Sequence, residues 1–420
     1  MTDRRRAVRP GEATGPRLER EDPGGRPGVS AVWRVRGLAE ARRVLRARHA
    51  TTQAGFTAEK IPQRLKLHPI LVSDGPLHDE QRRKVARFLA PTVVEERYTG
   101  LMASCADRLL TDAVARGRCR LDDLALLYTV EVTAEVVGLT ESPVPRMARR
   151  LVSFFNQPPF DITRSDLGRT GRQWAAAAVN GLVPVARFWW SDVRPAVRAR
   201  RREPGQDIVS HLVAEGYSDT DILVECVTYG TAGMVTTREF IVMAAWHLLQ
   251  DEGLRERYLA GDEAERLAIL HEIIRLEPVV GHLYRRAQTQ IPLGPPPAGA
   301  GTSTLGEGCP IPAPRPDDHL VRPGDLVDIC IRTANADPTV MGEDPLDLCP
   351  GRSLPPGVNA AGLAFGDGEH KCPGQPLAML ESDALLRRLL ALRPRVLREP
   401  DLGWDDLIEG YTLRGFDLAL

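Results

Sequence analysis

Residues 365–374 read FGDGEHKCPG: three glycines and a proline surround Cys372, and His370 stands two positions before it. A thiolate is a soft, electron-rich metal ligand. To hold a metal inside a buried cofactor it needs a backbone that can approach closely, which glycine permits because it has no Cβ. It also needs N–H groups aimed at the sulfur and, for the same reason, a helix N-terminus nearby. Gly366, Gly368 and Gly374 flank Cys372, Pro373 follows it, and the amphipathic run PLAMLESDALLRRLLAL leads away from it. His370 is placed to bring a cationic or hydrogen-bonding group to an anionic edge of the same cofactor. One competing reading is a glycine-rich turn around an inert cysteine. A zinc site built on His370 and Cys372 lacks a visible second pair of ligands.

Other pairs have useful spacing. HEIIRLEP sets Glu272 and Arg275 on one helix face, although most such pairs are surface salt bridges of little worth. HDEQRR places His78 and Arg82 one turn apart, able to reach one anionic group or simply forming a solvated basic face. LYRRA offers Arg285, with Arg286 as the alternative register.

These residues must be positioned by long helices. Residues 221–250 are apolar nearly all round, as in a helix buried on every side. Ser218 and Asp221 fit a capping box at its start, and Gly253 fits its end. Gly230 and Gly233 fall mid-helix, where each costs about 1 kcal/mol relative to alanine. Close approach of a planar cofactor would explain them, and so would packing against another helix. The Thr236 hydroxyl can bond back to the carbonyl of Ala232 and distort the ladder.

The remainder of the 420-residue chain agrees with an ordinary globular protein: 43% hydrophobic, 26% charged, formal net charge −1. That charge gives no global signal for nucleic acid, no apolar run reaches a membrane span, and no signal-peptide core is visible. The expected location is therefore the cytoplasm. Seven scattered cysteines without a CxxC argue against a disulfide framework. Residues 1–28 read as a disordered tail and residues 29–420 as one domain. A flexible Pro/Gly insertion is expected at about 293–319. The expected class is mainly α with small β-sheets.

The cysteine stretch resembles the haem-binding signature of the cytochromes P450, with Phe365, Gly366, Gly368, His370, Cys372 and Gly374 at its informative positions. The resemblance covers about residues 30–420. It implies a P450 fold with haem b buried between long helices, Cys372 on the iron, and O2 as co-substrate. It further implies that Glu272, Arg275 and Arg352 of DPLDLCPGR form a structural ion-pair network. His78, Arg82, Arg285 and His370 would neutralise the haem carboxylates. AGMVTT resembles the oxygen-activation motif, with Gly233, Thr236 and Thr237, but the acid of that motif is replaced by Val235. Water and the threonines could suffice, Glu239 could substitute, or the chemistry could be atypical, such as coupling or nitration.

Substrate-facing candidates are Phe56, Asn156, Gln157, Ala232, Val235, Val279, His282 and Tyr411, a mixture suited to a medium-sized organic molecule with polar groups. The implied reaction is hydroxylation or oxidative coupling, in bacterial secondary metabolism. Electrons would come from a ferredoxin and an NAD(P)H-dependent ferredoxin reductase. Arg83, Lys84, Lys371, Arg387 and Arg388 would offer the docking patch or an ordinary charged surface. A monomer without nucleic-acid or membrane partners is expected. A peroxide-driven enzyme and a non-catalytic haem sensor are the rival readings.

Overall fold

The computed structural model describes residues 15–22, 30–55, 69–164, 167–294 and 319–420. Its centre is the apolar helix read from the sequence. The Ser218 hydroxyl accepts from the Asp221 amide, and the Asp221 carboxylate accepts from the Ser218 amide, both at 3.2 Å. From this box the core helix runs through Asp219–Tyr229, widens to π geometry over Gly230–Val235, and continues as Thr236–Gln250. It packs against the helices Leu121–Val137 and Gln375–Ala391, which is why nearly every residue of its second half is buried.

One expectation about this helix is corrected. Gly253 does not end it. The chain leaves the helix at Asp251, whose carboxylate accepts from Leu254 N at 2.9 Å and caps the next helix, Glu252–Ala260. Of the two readings of its mid-helix glycines, packing against another helix has visible contacts. A Cβ on Gly230 would lie 2.7 Å from Leu151 Cδ2, and one on Gly233 would lie 3.4 Å from Thr133 Cγ2. Both glycines admit a neighbouring helix.

A five-stranded sheet runs in the order Leu18–Glu21, Val32–Val35, Leu326–Cys330, His282–Ala287, Thr51–Gln53. The pairing of Val32–Val35 with Leu326–Cys330 is parallel and the others are antiparallel. The expected tail is therefore wrong in its middle. Leu18–Glu21 is a strand in register with Val32–Val35, and Arg17 donates to Asp337 at 2.7 Å. Most of the expected insertion lies outside the described residues, but its flanks, Ile291–Pro292 and Leu320–Val321, pair as a two-stranded ribbon. The C-terminal strand Asp417–Ala419 joins Arg118–Arg120 to Arg395–Arg398.

Under the core lies the Glu272–Arg275 pair. The Arg275 guanidinium is fully buried and donates to both Glu272 carboxylate oxygens at 2.7 Å. Its remaining N–H groups reach the carbonyls of Asn335 at 2.7 Å and Pro345 at 2.8 Å. Arg352 Nε joins Glu272 at 3.1 Å. One carboxylate and two guanidiniums thus tie the helix Glu263–Leu276 to the loop before the cysteine. A buried charge is tolerated when every N–H has an acceptor.

Candidate active site

The cysteine loop is closed by a 2.7 Å hydrogen bond from Cys372 N to Phe365 O. Gly366 and Gly368 take the left-handed conformation, both at φ +69. Gly368 is the more constrained, since a Cβ there would stand 2.0 Å from the Leu45 carbonyl oxygen. Asp367 anchors the loop to the helix Leu38–Arg46 by accepting from Arg42 Nε and Arg46 Nε, each at 2.9 Å. The helix Gln375–Ala391 starts just beyond, with Gly374 at its cap.

Burial pushes the Cys372 thiol up, while the Gly374 amide, the Arg82 charge and the Gln375 amide pull it down. Such a sulfur ionises when a cation sits against it. Cys372 is exposed although protein encloses it, and Ala232 is exposed although it sits halfway along the buried core helix. Both border internal space. Arg82 stands within electrostatic reach of the sulfur and of Tyr229 on the core helix.

Four expected groups meet beside this loop. The rings of His78 and His370 stack with centroids 4.0 Å apart. Arg82 donates to the Lys371 carbonyl at 2.6 Å. Arg285 is buried and donates to Gln53 Oε1 and, at 2.9 Å, to Tyr284 O. Burial, then the charges of His370 and Arg82, push His78 down to about 4, and burial pushes Arg285 down to about 10. His78 Nδ1 is buried with no partner. Basic groups crowded this closely at a buried edge fit an anion. Arg286 instead donates to Gly324 O at 3.1 Å, so Arg285 is the register that joins the cluster.

Two members were missed in the sequence. Asp74 Oδ1 lies 3.1 Å from His370 Nε2, and its other oxygen accepts from Gln53 N at 3.0 Å. Asp74 could have been found as the residue before the helix Gly75–Leu89, which carries His78 and Arg82. Gln53 gives no local signal. It belongs to a strand whose partner is over 200 positions away.

On the core helix, the Thr236 hydroxyl donates to Ala232 O, and the Thr237 hydroxyl to Gly233 O at 2.8 Å. From the neighbouring helix Thr129 Oγ1 reaches Met234 O at 2.8 Å, inside the π-widened turn. Val235 is buried at 3% exposure. Glu239 does not replace the missing acid, because Arg238 and Arg414 both bind its carboxylate away from solvent.

A different acid lies earlier on the helix. Glu225 is buried, and burial pushes it up to about 7. It accepts from Gln81 Nε2 at 3.0 Å, and Gln81 in turn accepts from Ser73 Oγ at 2.6 Å. This link joins the core helix to the helix of His78 and Arg82.

The substrate-facing candidates divide. Val279, Gln157 and Tyr411 are half-buried, and Asn156 is exposed, its carbonyl accepting from Asn180 Nδ2 at 2.7 Å. His282 is bound to Asp328 at 2.6 Å within the sheet and borders a small cavity with Phe160, Ile162 and Glu409. Phe56 lies outside the described residues.

The family model of Cytochrome P450 matches residues 316–392, a span that includes Arg352 and the whole cysteine loop. Cytochrome P450 144 of Mycobacterium tuberculosis is 25% identical over 364 residues, covering 84% of this chain and 73% of that protein. Erythromycin C-12 hydroxylase of Saccharopolyspora erythraea is 26% identical over 383 residues, covering 88% and 84%. The ligand-free structure of Mycobacterium smegmatis CYP164A2 superposes with a TM-score of 0.70 at 25% identity, covering 93% of this chain and 91% of that one. The family model, these relatives and this structure together support the cytochrome P450 superfamily for this chain.

Cytochromes P450 bind haem b, use O2 as co-substrate and are monooxygenases. The residues present fit the group: a cysteine with backbone donors on its sulfur, internal space beside it, and a basic cluster with an orphaned imidazole nitrogen at one edge. Thiolate-bound haem supplies the reductive activation of oxygen. In this chain Cys372 would hold the iron, and His78, Arg82, Arg285 and His370 would hold the carboxylates. Thr236, the first residue after the π turn, sets its hydroxyl on the turn's Ala232 carbonyl. Val235 keeps that turn free of a carboxylate and holds no proton there.

Proposed function

We propose that this P450 hydroxylates or oxidatively couples a medium-sized, partly polar organic molecule of bacterial secondary metabolism, taking electrons from a ferredoxin and its reductase. The observation that carries this reading is the pairing of an enclosed, backbone-solvated Cys372 with Thr236, which follows the π turn of the core helix and donates to its Ala232 carbonyl. The presence of Thr236 directly after that turn argues for oxygen chemistry over passive haem binding. The half-buried mixture of Val279, Gln157 and Tyr411 suits a substrate with both apolar and polar parts. For docking, Arg83, Lys371 and Arg387 are exposed, whereas Lys84 is paired with Glu80 at 2.9 Å and Arg388 with Asp107 at 2.8 Å. The first three would steer an acidic ferredoxin.

The test has two stages. The reduced protein under carbon monoxide is expected to give the red-shifted Soret band of thiolate ligation, and Cys372→Ser to lose it. A compound library is then screened for spin-state changes, and hits are incubated with NADH, ferredoxin and reductase. Substrate oxidation whose rate falls with ionic strength supports the reading. The loss of the acid at Val235 favours a second reading, peroxide-supported turnover. Oxidation of the same hits by hydrogen peroxide alone, with none through ferredoxin, would select it.

A further inference from the structure

Five of the nine large apolar side chains that are exposed among the described residues lie in one stretch of seventeen. They are Trp174, Val179, Leu182, Val183 and Trp190, at 38%, 58%, 71%, 40% and 60% exposure. All but Trp190 stand on the helix Gly171–Phe188, and Trp190 follows in the π turn Trp189–Val193. Ala175, Ala176, Ala178 and Ala186 are exposed beside them. At 100° per residue these positions sweep about 200° of helix surface. A monomer seldom leaves so continuous an apolar face in water.

The charges around the face are mostly positive, although Arg200 and Arg201 at its far end are paired with Asp207 and Asp219. Between Leu167 and Arg202 the chain carries eight arginines and a single acid, Asp192. Asp192 is buried and paired with Arg150 at 2.6 Å, so it offers nothing to the surface. Arg194 lies over the Trp190 ring at 4.3 Å and Arg169 over the Trp174 ring at 5.4 Å. The face therefore has a tryptophan near each end, each with a guanidinium over it, and an uncharged span between Arg172 and Arg187.

We propose that this helix docks the protein on an anionic lipid surface, lying in the interface without crossing it. Tryptophans and arginines flanking an aliphatic strip are the chemistry of an interfacial helix: the rings and stems enter the acyl boundary and the guanidiniums remain among the phosphates. No helix among the described residues is long and apolar enough to span a bilayer. A second copy of the chain fits less well. Helices paired in either sense would bring arginine ends together, and the helix itself carries no acid to neutralise them. A protein partner would ask for hydrogen-bonding groups within the patch. The two amides on this helix are already committed, Gln173 to the Thr170 cap and Asn180 to the Asn156 carbonyl.

That same bond gives the docking a route to the site. Asn180 joins the helix to the 153–163 segment, and the helix Val144–Val152 beneath packs on the π turn of the core helix.

The holoprotein is to be floated with vesicles of phosphatidylglycerol and phosphatidylcholine in equal parts, and with phosphatidylcholine alone. Binding to the mixed vesicles that weakens in high salt is expected. Val179→Asp and Leu182→Asp should each lower the bound fraction about tenfold. Both side chains are exposed, so the carbon monoxide band should be unchanged and report intact folding. The proposal is overturned if the protein stays unbound with the mixed vesicles, or if both variants bind as the parent does. It is equally overturned if sedimentation shows a dimer that Leu182→Asp dissolves, which would assign the face to a second copy.

Discussion

Val235 and Glu225 mark where a proton can and cannot reside on the core helix. Val235→Asp places a carboxylate in a buried position, which costs a few kcal/mol. The expected gain is chemical: less hydrogen peroxide released per electron consumed, measured with a reductase pair. Unchanged peroxide release would mean that the missing acid is irrelevant. Glu225 behaves differently. Burial raises it in the folded state from 4.5 to about 7, so the native state holds a proton that the unfolded state has released. Its contribution is fully present below about pH 4.5 and is lost as pH rises through 7, a change on the order of 3 kcal/mol. Glu225→Gln keeps an acceptor for Gln81 and cannot titrate. The stability difference between variant and parent in urea should therefore grow in the variant's favour from pH 5 to pH 8. A pH-independent difference would place the proton elsewhere.

At the scale of elements, the cysteine loop tests whether glycine is needed for its conformation or for the space. Gly366 and Gly368 share a φ of +69, but only Gly368 would press a Cβ onto the Leu45 carbonyl. Gly366→Ala should cost only the 1–2 kcal/mol or so of a left-handed residue. Gly368→Ala should also separate the loop from the Leu38–Arg46 helix and lower the haem retained per chain, with helical circular dichroism preserved. The reverse order of effects would refute the steric account. This loop was legible in the sequence because ligand, glycines and helix start are contiguous. So was the Glu272–Arg275 pair, whose spacing is one helical turn. A distortion of the core helix was legible from Thr236, but its π form was not, since Thr129 on another helix also reaches into the turn at Met234 O.

Across the whole molecule, what the sequence left unread is what distant segments build together. Gln53 and Asp74 enter the basic cluster through strand pairing and a helix start far from Cys372. Leu18–Glu21 looked like tail because four half-polar residues have no period to read. It is a strand because the edge of Val32–Val35 was open to it. Removing residues 1–22 should expose that edge and take Arg17 from Asp337, whose carboxylate also holds the Leu38 amide at 2.9 Å. A fall of a few degrees in melting temperature is expected, on the scale of about 1–2 kcal/mol for a chain of this size. An unchanged melting curve would return the segment to the status of a tail.

The hydroxyls of Thr228, Thr231, Thr236 and Thr237 all donate to carbonyls of their own helix. At rest, then, each of these hydrogens already has a claimant. For Thr236 to offer its hydrogen to anything arriving in the gap, it must turn about χ1 and release Ala232. The side chain is a latch with two settings, and whatever occupies the gap decides which one holds.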